Sequence, residues 1–276
     1  MPLTTGGLVC RLLAHATPTP LPTREVLGAE PTRRFERMSL LHDDGWGSAW
    51  IDAPGGPLHR IRDASPAHTQ DRLRHVLETD QATARIVHLR LATDSMAVDP
   101  LNAHPFTDGT LALAHNGSIV PTDALRRLLT TDERAALTGT TDSEMYFMLL
   151  RRHLSESGDL SDAARRTVRT LRSTYPEASL NAVALTADSL CVIHSSSLAR
   201  VPWEDFTASG LSAEDMPLDH SEAYFRMSYR AVPGGGWVFT SAGLGSDSWT
   251  PLPEDSISTV ELASLELSIE DQGLAA

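Results

Sequence analysis

Stretches with apolar residues at nearly every position alternate along this chain with stretches of helical spacing, and the two kinds of run divide it into recognisable parts. The first run, "GLVCRLLAHA" at residues 7 to 16, predicts a strand. The Pro- and Thr-rich stretch that follows, "TPTPLPTREVLGAEPTRRF", predicts a long surface excursion. "LHDDGWGSAWI" reads as two strands around a tight Asp44-Gly45 turn, and "SPAHTQDRLRHVLET" as a helix starting near Ser65. "ARIVHLRLAT" has the continuous apolar character of a buried strand. After a loop through "DPLNAHPFTDG", "TLALAHNGSIV" predicts another strand, ending at Asn116-Gly117.

The period then changes. "PTDALRRLL" and "DSEMYFMLLRRHL" carry helical spacing, and Thr141 with Glu144 three residues later is the signature of a capping box. "LSDAARRTVRTLRSTY" predicts a third, amphipathic helix. Beyond Pro176 the short apolar runs "SLNAVALTA", "SLCVIHSS", "AYFRMSYRA", "GWVFTSAG" and "STVELASLEL" read as strands. Internal repeats, low-complexity segments and linker-like stretches are absent from the sequence, so a single α+β domain is expected.

Charge removes two partner classes. Lys and Arg number 23 against 36 Asp and Glu, a formal net charge of -13, which repels nucleic acid phosphate and anionic lipid. No run of about twenty apolar residues exists to span a membrane. Two cysteines, Cys10 and Cys191, without a CxxC pair, provide neither a disulfide framework nor a zinc motif, and the eleven histidines do not cluster at ligand spacing. The expectation is a cytoplasmic protein without metal or other cofactor.

Taken one at a time, the chemically capable residues have plain structural explanations. A free cysteine such as Cys10 behaves as a small buried hydrophobe. Asn116-Gly117 supplies the positive φ of a hairpin turn. Asp142, in the first turn of a helix, complements the helix dipole. Arg90, inside an apolar strand, calls for a carboxylate partner, either structural or a substrate's.

In combination they carry more. "CRLL" at 10 to 13, "DDGWG" at 43 to 47, "HLRLAT" at 88 to 93, "NAHPF" at 102 to 106, "LAHNGSI" at 113 to 119 and "GTTDSE" at 139 to 144 together resemble the class II glutamine amidotransferases. The strand-rich second half, with "VFTSAG" and then "SWTPLP", looks like that family's stand-alone branch, which includes the ergothioneine-pathway γ-glutamyl amidohydrolase and the glutathione-degrading amidotransferase subunit of yeast. The resemblance implies an N-terminal nucleophile hydrolase fold: a four-layer αββα sandwich, occupying residues 10 to 276 as one domain.

It also implies roles. Cys10 is the nucleophile, and its own α-amine, with an ordinary pKa of about 7.7–8.0, is the base. Residues 1 to 9 are then absent from the mature protein, either because translation starts at Val9 with an initiator methionine that is removed, or because a propeptide is cut away. Asn116 and Gly117 form the oxyanion hole. Arg90 and Thr93 hold the α-carboxylate of a glutamyl group, and Asp142 its ammonium. His88 and His104 are expected to pack or order loops, and Trp46 and Gly47 to shape the pocket wall. The expected substrate is glutamine or a γ-glutamyl small molecule. The alternatives are a glutaminase subunit supplying ammonia to a separate synthetase, and a non-catalytic γ-glutamyl-binding or regulatory homologue. A hydrolase using His88 as base would work with the extension attached. Leu91, where hexosamine-forming members carry an aromatic residue, and "SAG" at 241 to 243, in place of Ser-Glu-Pro, depart from family patterns and bear on substrate identity.

Overall fold

The structure, a computed structural model, describes residues 10–91, 98–200, 223–245 and 248–271. One antiparallel sheet is built from β1 (Arg11–Pro22), β2 (Trp46–Ile51), β3 (His59–Asp63), β4 (Gln81–Leu89), β9 (Met227–Ala231), β10 (Trp237–Ser241) and β11 (Thr250–Pro251), in the order β11-β9-β10-β1-β4-β2-β3. The other contains β5 (Phe106–Thr107), β6 (Leu111–Asn116), β7 (Asn181–Thr186), β8 (Ser189–His194), β12 (Ser256–Glu261) and β13 (Leu267–Asp271), in the order β13-β12-β8-β7-β6-β5. Helices α1 (Thr23–Leu27), α2 (Ala29–Arg37) and α3 (Asp71–Glu78) cover the first sheet. Helices α4 (Thr122–Leu128), α5 (Thr131–Ala135), α6 (Asp142–Ser157) and α7 (Leu160–Thr174) lie with the second.

Strand periodicity sorts side chains into three apolar layers. Because successive residues of a strand point to opposite faces, Leu12, Ala14 and Ala16 of β1 meet Ala112 and Ala114 of β6 and Val183 and Leu185 of β7 between the sheets. Leu13 turns the other way, onto Val26, Leu27, Phe35, Leu73 and Leu77 of the first helical layer. Leu111 and Leu113 of β6 turn onto α6 and α7 through Met145, Leu149, Val168 and Leu171. The result is the four-layer αββα sandwich.

Several local expectations are corrected. The Pro- and Thr-rich stretch is not a surface excursion: β1 runs on to Pro22, and α1 and α2 follow. The prolines are accommodated because the β1–β4 register shifts between Ala16 and Leu21 and residues 18 to 20 are exposed. "LHDDGWGSAWI" holds one strand, not two, and β2 takes its partner from residues 59–63. The helix expected from Ser65 begins at Asp71, after Pro66 and a 3₁₀ turn at Ala67–Thr69. "STVELASLEL" divides into β12 and the start of β13.

At the start of α6 the capping box is half formed. Thr141 Oγ1 accepts from Glu144 N at 3.1 Å, but the Glu144 carboxylate turns to the preceding loop instead of back to the cap. It accepts from Thr138 N and Oγ1 and from Gly139 N, each at 2.8 Å. Both side chains are buried. Thr141→Ala is therefore expected to lower unfolding free energy by about 1 kcal/mol. Glu144→Ala is expected to cost more, about 2–4 kcal/mol, because two amides lose a charged acceptor. Urea unfolding followed by circular dichroism gives the order; equal losses would contradict this account of the loop.

Candidate functional site

The start of β1, the end of β4 and the start of β2 meet the end of β6 and the start of β7 at one end of the sandwich. A hydrogen bond ties the two sheets there: His88 Nε2–H of β4 donates to His115 O of β6 at 3.3 Å. Strand parity decides what faces what. Cys10 has the parity of Leu12, Arg90 that of Ile86, and Asn116 that of Ala114, so all three side chains belong to the inter-sheet face.

Cys10 is only 7% exposed, and its thiol lies 3.7 Å from Leu91 O. Burial pushes the thiol up to about 11, against the opposing pull of the Arg90 and Arg11 cations and with a further push from the Asp142 carboxylate. A thiol in that setting stays protonated at neutral pH, so it needs a base to become a nucleophile.

Arg90 is held by the "DDGWG" segment. Its N–H donates to Gly45 O at 2.8 Å, its carbonyl accepts from Asp44 N at 3.1 Å, and Nη1 donates to Asp44 O at 3.2 Å. Gly45 has φ +116°, and a Cβ there would lie 2.6 Å from Asp63 O, so this close return of the chain requires glycine. Gly47 sits on the inter-sheet face, where a Cβ would strike His104 O at 2.1 Å. Trp46 points the other way, fully buried among the first helical layer, and does not reach the site.

Asn116 has no exposed surface, and among the described residues neither Nδ2 nor Oδ1 has a hydrogen-bond partner. Its carbonyl accepts from Ser179 Oγ at 2.8 Å, fixing the backbone. The expected hairpin at Asn116-Gly117 is absent: β6 pairs with β5 and β7, and Gly117 is not among the positive-φ residues. Glycine is needed here for space instead, since a Cβ would lie 2.0 Å from Ser179 O and 2.8 Å from His115 Nε2.

Asp142 is buried, and its carboxylate organises the turn that follows Gly117. Oδ2 accepts from Ile119 N at 2.5 Å and Oδ1 from Ser143 N at 2.8 Å. His115 Nε2–H donates to Ser179 O at 2.9 Å, leaving Nδ1 to accept from Ser143 Oγ at 2.9 Å. Burial, chiefly, lowers the imidazole of His115, against the pull of the Asp142 carboxylate.

The His88 and His104 rings lie against each other, tilted by 38°, with centroids 4.2 Å apart. Burial, chiefly, pushes His88 down to about 3 and His104 well below its ordinary range. His88 is thus a weak base, and its Nε2 is committed to His115 O. The loop with "NAHPF" is locked to the one before α6: Asn102 Nδ2 donates to Thr140 Oγ1 at 3.2 Å and Oδ1 accepts from Thr140 N at 2.9 Å. Thr93 lies outside the described residues. Cys191 is a fully buried residue of β8 whose thiol burial pushes up to about 12. Among the described residues no His, Cys, Asp and Glu side chains gather as a metal site, and no helix is long and apolar enough to cross a membrane.

The sequence profile of the family described as glutamine amidotransferases class-II matches residues 10–233. Among curated proteins, the glutamine–fructose-6-phosphate aminotransferase (isomerizing) of Xanthomonas campestris is 39% identical over 34% of this chain and 15% of its own length. The corresponding Gluconobacter oxydans protein is 29% identical over 60% of this chain. The chain thus matches only 15% and 25% of the length of these two relatives. The γ-glutamyl-hercynylcysteine sulfoxide hydrolase of Mycolicibacterium smegmatis is 26% identical over 62% of this chain and 75% of its own length. Among solved structures, a glutamine aminotransferase class-II domain protein from Silicibacter pomeroyi superposes with TM-score 0.59 at 20% identity, covering 95% of this chain and 99% of that one. The glutamine PRPP amidotransferase of B. subtilis gives TM-score 0.59 at 15% identity, covering 96% of this chain and 49% of that one.

The crowding at Gly117 yields a direct test. Gly117→Ala must push Ser179 or His115 aside, so it is expected to destabilise the protein by about 1–3 kcal/mol. Ser118→Ala, one residue on, serves as the control. Thermal unfolding of the two variants makes the comparison; a Gly117→Ala protein as stable as the control would contradict the packing described.

Proposed function

Since the chain belongs to the class-II glutamine amidotransferases, we propose that it hydrolyses the γ-glutamyl amide bond of a γ-glutamyl conjugate or of glutamine through a glutamyl thioester on Cys10. The carrying observation is the buried Asn116 amide, unpartnered among the described residues, on the same inter-sheet face as the Cys10 thiol and the Arg90 guanidinium. An unpaired buried amide costs about 1–3 kcal/mol, and an oxyanion that forms only during reaction gives that cost a purpose.

In this reading the mature chain begins at Cys10, and its α-amine takes the thiol proton as Sγ attacks the γ-carbonyl carbon. Charge gathers on the carbonyl oxygen, where Asn116 Nδ2 and the Gly117 N–H stabilise it. The tetrahedral intermediate collapses, the C–N bond breaks, and the protonated α-amine returns its proton to the departing amine. Water, activated by the same amine, then attacks the thioester and releases glutamate. Arg90 presents a planar fork to the substrate α-carboxylate and Thr93 adds a hydroxyl, while Asp142 attracts the α-ammonium. Asp142 keeps lone pairs for that task after accepting from Ile119 and Ser143.

The match over 75% of a γ-glutamyl conjugate hydrolase supports hydrolysis of a conjugate. The matches to glutamine-fructose-6-phosphate aminotransferases support a second reading, glutamine as substrate with ammonia passed to a separate synthetase. Glutamate release from glutamine and from γ-glutamyl amines, compared at equal concentration, separates the two. A non-catalytic binding protein releases glutamate from neither.

Two outcomes are expected. Asn116→Ala should lower kcat by about 10²–10³-fold with a smaller change in KM; unchanged kcat would remove Asn116 from the oxyanion hole. The pH profile should depend on the first residue. With Cys10 first, activity falls as pH drops through the α-amine pKa of about 8 or below, because the amine must be neutral to accept a proton. With residues 1 to 9 attached the base is lost, and any residual activity should rise with pH toward the thiol's own value of about 11. Identical profiles for the two forms would contradict the role of the amine.

A further inference from the structure

Two fully buried polar side chains, Arg11 and Asn181, take no part in the scheme above, and both engage the same dipeptide. Arg11 Nη1 donates to the carbonyl of Cys10 at 3.3 Å; its guanidinium carbon lies 4.5 Å from the centroid of the Tyr224 ring, and the guanidinium also hydrogen-bonds the Tyr224 hydroxyl. Asn181 Nδ2 donates to Phe225 O at 2.6 Å, while its Oδ1 accepts from Ser195 N at 2.8 Å. Tyr224 is itself buried, and its ring packs edge-on against Phe225 with centroids 5.1 Å apart.

The placement of these contacts gives them meaning. Asn181 stands directly opposite Asn116 in the β6–β7 ladder, so the two side chains share the inter-sheet face. Arg11 is the chain neighbour of Cys10 but, by strand parity, belongs to the opposite face of the sheet. Residues 224 and 225 therefore touch the nucleophile's strand at one point and the oxyanion residue's strand partner at another, bridging two sheets whose ends otherwise meet through the His88–His115 contact. Burying a guanidinium is expensive, and an apolar side chain of similar volume fills such a space at lower cost. Retaining arginine next to the nucleophile is explained if it fixes the Cys10 backbone.

We propose that Tyr224-Phe225 is a strut that sets the Cys10 thiol against the Asn116 amide, with Arg11 and Asn181 as positioning residues at its two ends. The inference rests on the reading of Cys10 and Asn116 given above. Misalignment of reacting groups by about 1 Å costs on the order of a hundredfold in rate, so a strut of this kind acts on chemistry more than on substrate affinity.

The test uses protein isolated from its own host, its first residue identified by N-terminal sequencing. Cys10 is labelled with two reagents: a glutamine analogue carrying a chloroketone at the amide position, which needs thiol and oxyanion hole in register, and iodoacetamide, which needs only the thiol. Tyr224→Leu and Asn181→Asp are expected to lower the ratio of the two labelling rates by about tenfold to a hundredfold. Iodoacetamide labelling should stay near the wild-type rate, and Tyr224→Phe, which keeps the ring face for Arg11 but removes the hydroxyl that Arg11 hydrogen-bonds, should lower the ratio less than Tyr224→Leu does. Should either disruptive variant fail to fold, Arg11→Lys, which keeps the charge and loses the planar fork, tests the same end of the strut and is expected to lower the ratio. A selective wild type whose folded variants keep the wild-type ratio overturns the strut alone. A wild type that reacts no faster with the glutamine analogue than with iodoacetamide overturns the site reading, and the strut with it.

Discussion

Packing two antiparallel sheets face to face forces every second side chain of each inner strand toward the other sheet, and the site depends on that alternation. Along most of β1, β4 and β6 the inward positions are alanine, leucine and isoleucine, and they make the middle apolar layer. At the strand ends the same positions become Cys10, Arg90 and Asn116. The chain thus places chemically capable side chains at positions of core parity by changing residue type without changing geometry. The rigidity of the ladder holds the three groups, as a preorganised site requires. A one-residue slip in β1 or β6 would carry Cys10 or Asn116 to the outer face and leave the others without counterparts.

The surrounding motifs act as fasteners for those ends. "DDGWG" returns the chain close enough for Asp44 and Gly45 to hold Arg90 by three hydrogen bonds. "NAHPF" and "GTTDSE" are two halves of one lock, closed by Asn102 on Thr140 and tightened by Glu144 on Thr138 and Gly139. Asp142 reaches from the first turn of α6 to Ile119, ordering the turn that carries Gly117. Each motif touches another, and this explains physically why they stand together in one sequence. In the proposed mechanism Asp142 has a second task, since the carboxylate proposed for the substrate ammonium also organises the turn that carries Gly117.

Much of this was legible in the sequence, with instructive exceptions. The αββα class follows from the resemblance carried by the six motifs; β4, β6, α6 and α7 follow from apolar periodicity alone. The Pro- and Thr-rich stretch misled because prolines normally interrupt a strand, whereas here a register shift past Ala16 accommodates them. The Asn-Gly pair suggests a positive φ at Gly117, but the constraint there is space: a Cβ would lie 2.0 Å from the carbonyl oxygen of Ser179, 62 positions away, which no local pattern reveals. Trp46 is expected on the pocket wall, yet parity sends it to the helical layer. Asn181 and Tyr224 had no sequence signal, because their significance lies in the ladder and in a packing contact with Arg11. Thr93 lies outside the described residues, so its part remains a proposal.

The central claim is that the Cys10 thiol carries a glutamyl group between two half-reactions. Rapid acid quench of the Cys10-first protein with a γ-glutamyl amide, followed by peptide mass spectrometry, tests it most directly. The account predicts a transient mass increase of one glutamyl group on the peptide beginning at Cys10, lost on treatment with hydroxylamine and strengthened when deacylation is slowed. Glutamate production at full rate with no such adduct, or with the adduct on another residue, would contradict it.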